Sequence, residues 1–116
     1  MLNILCTLTV ISCQHTTVEA PTIRQVTAYT LSVDETDATP CIGATGEDLC
    51  LAQANGESIC AANWVPLNSI IYIEGYGPCR VADRMASKHK NRVDILMKTK
   101  QEAKKWGIKS KLVNIL

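Results

Sequence analysis

Asp83 and Asp94 are the residues of this 116-residue chain best suited to proton transfer. They stand eleven positions apart, each at the edge of an apolar run, with the basic segment 84–92 between them. A carboxylate among apolar neighbours is costly to keep ionised, so burial raises its pKa toward the range useful for general acid–base work. The same spacing also suits two surface acids paired with Arg84 and Arg92, because structural ion pairs arise in this way too. Other chemistries lack their signatures. There is no phosphate loop or dinucleotide glycine pattern. His15 and His89 have no nucleophile arranged for a triad, and His89, between Lys88 and Lys90, reads as a solvated loop residue.

The cysteines narrow the setting. Cys6, Cys13, Cys41, Cys50, Cys60 and Cys79 contain no Cys-x-x-Cys or Cys/His pairing, so neither a metal nor a cofactor is expected. Six in so short a chain point to an oxidising compartment and to disulfides among Cys41, Cys50, Cys60 and Cys79, with three connectivities open. Charge is lopsided: residues 25–79 hold seven acids and no Lys or Arg, and residues 80–116 hold eleven basic residues and three acids. A basic half suggests a polyanionic partner or simply solvated lysines. Export and disulfides argue against nucleic acid.

The elements that must position the acids are short. Residues 23–31, rich in β-branched and aromatic side chains, read as a strand. Residues 33–60 read mostly as loop, and the cysteines are expected to pin it. Residues 70–74, 79–82, 92–97 and 111–116 read as further strands. Thr99-Lys100-Gln101-Glu102 has the form of a capping box, and the helix that follows should stop at Gly107. Many short strands with one helix near the C-terminus predict a mainly β fold, a small disulfide-stabilised barrel, in one domain over residues 21–116.

Residues 1–12 are apolar and about as long as a signal core. Val10-Ile11-Ser12-Cys13 resembles a lipobox, which implies cleavage and lipidation at Cys13, a polar tether over residues 14–19, and an exported lipoprotein of the cell envelope; the alternatives are ordinary cleavage after Ala20 and a buried N-terminal strand. An anchor in the periplasmic or outer-membrane space, or on the cell membrane, would satisfy it.

From Val26 onward the chain resembles the three-aspartate domain of bacterial cell-wall enzymes. The match is carried by Thr27-Ala28-Tyr29, Ala44-Thr45-Gly46, residues 62–69, Tyr72-Ile73-Glu74-Gly75-Tyr76-Gly77, Val81-Ala82-Asp83-Arg84, Asn91-Arg92-Val93-Asp94-Ile95 and the ending Ala103 to Ile108. That domain is a six-stranded double-psi β-barrel, related to membrane-bound lytic transglycosylase A and to rare lipoprotein A. The resemblance implies that Asp94 is the catalytic acid/base and Asp83 the second acid lining the groove. The family's remaining aspartate falls on Asn63, an amide that cannot titrate, so Asp37 or Glu47 is expected to supply the missing carboxylate. Tyr29, Arg84 and Asn63 are expected to contact substrate, with Tyr76 and Trp64 as further groove candidates. Arg84 is the residue of the rare-lipoprotein-like branch.

The implied activity is lytic cleavage of peptidoglycan glycan strands by a monomer, leaving 1,6-anhydro-muramyl ends. A non-catalytic, expansin-like glycan-binding module and a water-using glycosidase with Asp37 or Glu47 as second carboxylate are the alternatives.

Overall fold

A computed structural model describes residues 2–5, 14–17, 20–31 and 41–116. Cys6, Cys13 and Asp37 lie outside the described residues. The described parts of the expected leader, β1 (Leu2–Leu5) and β2 (Gln14–Thr17), pair antiparallel in a two-stranded sheet separate from the rest. Among the described residues no helix is long and apolar enough to cross a membrane.

The remaining strands are β3 (Thr22–Tyr29), β4 (Ile59–Ala61), β5 (Ile70–Ile73), β6 (Gly77–Asp83), β7 (Val93–Leu96) and β8 (Lys109–Ile115). They close into a barrel in the order β3-β7-β4-β6-β5-β8. Two neighbouring pairs, β3–β7 and β4–β6, are parallel and the others antiparallel. This topology fits a double-psi barrel, and the fold is mainly β, as the sequence predicts.

Alternation along the strands fills the interior. Val26, Cys60, Ile71, Ile73, Val81, Val93, Ile95 and Val113 are fully or almost fully buried in one cluster. A smaller cluster of Leu49, Ile59, Ala82 and Leu96 lies beyond it, with Tyr29 and Leu31 packed against it.

Cys60–Cys79 joins β4 to β6 inside the main cluster, and Cys41–Cys50 closes a loop of separation 9. On chain entropy alone, loops of these lengths are worth about 2.5–3 kcal/mol each.

Beyond the leader, two elements were not legible as pattern. Helix α1 (Leu49–Ala54) falls in the stretch read as loop; Asp48 caps it by accepting from Leu51 N at 2.9 Å. Strand β4 is three residues long and buried throughout, so it has no alternation to read. Helix α2 (Lys100–Trp106) is as expected: Thr99 accepts from Glu102 N at 3.1 Å, and Gly107 ends it at φ 69°, where a side chain would be strained. Trp106 leans inward and donates its indole N–H to Val26 O at 3.0 Å.

Candidate functional site

Four adjacent strands bring Thr27, Asp94, Ala61 and Asp83 into one lateral row. Thr27 pairs with Asp94 across β3–β7, Asp94 with Ala61 across β7–β4, and Ala61 with Asp83 across β4–β6. Side chains at directly opposed positions share a face. The last step depends on an irregularity: Cys60 opposes Val81 but Ala61 opposes Asp83, so Ala82 is the extra residue of a bulge. A regular ladder would set Ala82 opposite Ala61 and turn the acid away from the row. Ala82 goes instead into the second cluster. The loop of Cys41–Cys50 is tight against it: a Cβ on Gly43 would lie 2.8 Å from Ala82 O and 2.5 Å from Leu49 Cδ1.

Asp94 is half-buried. Burial raises its pKa above the ordinary 3.8 and the Asp83 carboxylate adds to the rise, while the Thr27 hydroxyl, donating to Oδ1 at 2.8 Å, and the charge of His89 oppose it. Asp83 is held by two donors, the Tyr29 hydroxyl to Oδ2 at 3.0 Å and Arg84 N to Oδ1 at 3.0 Å. Burial, with Asp83 and Asp94 nearby, pushes the Tyr29 phenol above its usual range and keeps it a donor. The two acids are therefore unequal: one has a raised proton affinity, the other is fixed by two hydrogen bonds.

The segment between the acids is clasped from both sides. Asn63 Nδ2 donates to the carbonyls of Met85 (3.0 Å), Ala86 (3.0 Å) and His89 (3.2 Å), and Oδ1 accepts from Met85 N at 2.9 Å. Arg84 Nη1 donates to Ala62 O at 2.7 Å and Val65 O at 2.6 Å. Both residues were expected to contact substrate; Asn63 spends these polar atoms on the backbone between the acids, and Arg84 spends Nη1 on the backbone flanking Asn63. Trp64 does likewise, donating to Arg92 O at 3.1 Å.

Glu47 is engaged elsewhere. Arg80 grips it with Nη1 at 2.7 Å and Nη2 at 3.0 Å, and Thr45 donates to it at 2.7 Å. These bonds lower its pKa from 4.5 to about 2. Arg80 also binds Glu57 and Asn68, so it knots the α1 region to β6. Tyr76 meets Ser58 and Trp106 rather than either acid, with its hydroxyl 3.1 Å from Ser58 Oγ. Cys41, Asp48 and Cys50 lie close together, but both sulfurs are consumed in their disulfide.

Thr27 and His89 were missed as members of the site. Thr27 stood in the Thr27-Ala28-Tyr29 match without a role, and His89 lies in the clasped loop rather than in free solvent.

No family model matches the chain. It is 36% identical over 76 residues, 65% of its own length, to the cell wall-binding protein YocH of Bacillus subtilis. Over 92 residues, 78% of its length, it is 32% identical to the putative cell wall shaping protein YabE of the same organism. It covers 26% and 21% of those two proteins, about a quarter of the curated relatives it matches.

Proposed function

We propose that this protein works at the bacterial cell wall and cleaves peptidoglycan glycan strands without water, using Asp94 as the single acid and base. The observation that carries the reading is the state of Asp94: a half-buried carboxyl with a raised proton affinity, beside Asp83, in a chain similar to two cell wall proteins. Protonated Asp94 donates to the glycosidic oxygen as the bond from muramyl C1 breaks. The resulting carboxylate takes the proton from the C6 hydroxyl as that oxygen bonds to C1. The acid is regenerated, the product carries a 1,6-anhydro end, and no water is consumed. Thr27 aims the carboxyl; burial raises its proton affinity, and Asp83, fixed by Tyr29, adds to the rise. The engagement of Glu47 by Arg80 and Thr45 removes one of the two candidates for the second carboxylate that hydrolysis needs, and leaves Asp37 as the other.

Digestion of purified sacculi tests the reading by mass spectrometry of the released ends. Anhydro ends released by the native chain, and released at least about a hundredfold more slowly by Asp94→Asn, support it; release by Asp94→Asn at the native rate sinks it.

A second reading, a wall-binding module without chemistry, is favoured by one observation. The amide of Asn63, at the position of the family's remaining aspartate, is wholly committed to the loop. Retention on sacculi with no soluble product selects it. Either reading puts the chain in the cell envelope. An anchor at Cys13 is part of the proposal, and loss of lipid incorporation in Cys13→Ala is its test.

A further inference from the structure

Residues 23–25 at the start of β3 and residues 88–92 of the loop between the two acids enclose an open groove of about 320 Å³. Its lining carries Arg24, Lys88, His89, Lys90 and Arg92 and no carboxylate. Among the described residues no acid pairs with Lys88, Lys90 or Arg92.

The walls are preset. The Arg24 guanidinium lies 3.5 Å from the centroid of the Trp64 ring and donates to Asn91 O at 3.2 Å. Asn63 takes His89 O and Trp64 takes Arg92 O. Three carbonyls of the loop are thus bound by protein donors, so their negative ends are already satisfied and the cationic side chains dominate the groove. Lys88, Lys90 and Arg92, which among the described residues have no paired acid, set like charge in one concavity, and such a cluster concentrates anions; the Arg92 fork suits planar oxyanions.

We propose that this groove is a subsite for an anionic group of the cell-wall polymer, a carboxylate or a phosphodiester, next to the glycan held at Asp94. His89 links the two places, since it belongs to the groove lining and its charge acts on Asp94. The polymer's identity rests on the cell-wall reading above; the anion site itself does not.

The test begins with the full chain titrated with inorganic phosphate and with acetate, followed by amide NMR shifts. Saturable shifts are expected at residues 24–25 and 88–92. Binding should weaken about tenfold in Lys88→Gln/Lys90→Gln, the loss expected for two exposed cationic contacts, and return in Lys88→Arg/Lys90→Arg. Scattered shifts, or shifts that survive the Gln pair, overturn the inference. Retention on sacculi then separates the sources. Loss after amidation of wall carboxyls assigns the carboxylate, and loss after removal of phosphodiester polymers assigns the phosphate. Retention indifferent to both treatments and to the Gln pair overturns the subsite. Localised phosphate shifts in a chain that neither binds nor cleaves sacculi overturn the cell-wall reading and leave the anion site standing.

Discussion

Thr27 and Asp94, 67 positions apart, meet across the parallel β3–β7 pair with hydroxyl and carboxyl oxygens at 2.8 Å. The bond works against burial, because a donor to the carboxylate favours its ionised form. Thr27→Val removes that donor and should move the alkaline limb of the pH–rate profile for anhydro-end release to higher pH. The lost bond should cost about 1 kcal/mol of stability. An unmoved limb would show that Thr27 does not act on Asp94.

Asp94→Asn should lower the rate of anhydro-end release by about 10²–10⁴-fold, the usual worth of a positioned acid/base. It should also change stability with a definite sign. The folded pKa of Asp94 is raised, so its burial costs nothing extra below the ordinary value of 3.8, where the group is protonated in both states. The cost grows as pH rises through the folded pKa. Urea unfolding should therefore show Asp94→Asn gaining stability relative to the native chain at neutral pH, and losing that gain in acid.

Restoring a carboxylate at residue 63 should not improve the protein. Asn63→Asp would replace an amide nitrogen that serves three carbonyls with an oxygen that repels them. A loss of about 1–3 kcal/mol is expected in denaturant unfolding, with looser packing of residues 84–92 in hydrogen exchange.

Glu47 titrates in the opposite sense to Asp94. Its folded pKa is depressed from 4.5 to about 2, so its pairing with Arg80 contributes fully above 4.5 and fades as pH falls through about 2. The difference in melting temperature between the native chain and Glu47→Gln should be constant from neutral pH down to that upper value and shrink below it. Anhydro-end release should be unchanged at neutral pH.

The acids themselves were legible because a basic, strand-hostile segment separates two apolar runs, and a cap, a helix and a glycine stop were legible because they are local. What could not be read is what the barrel supplies from a distance. The Glu47–Arg80 pair spans 33 positions and the Asn63–His89 clasp 26. The bulge at Ala82 leaves no mark in a run that reads simply as a strand, yet it decides which way Asp83 points. The cysteine pairing was likewise open until β4 and β6 were seen to be neighbours.

The row of Thr27, Asp94, Ala61 and Asp83 draws on four strands, with partners as much as 67 positions apart. No hairpin or fragment contains it, and non-local pairings of this kind form slowly. An unfolded chain therefore carries two ordinary solvated aspartates with nothing to set them apart. The row that sets Asp94 beside Asp83 comes into being only when the barrel closes.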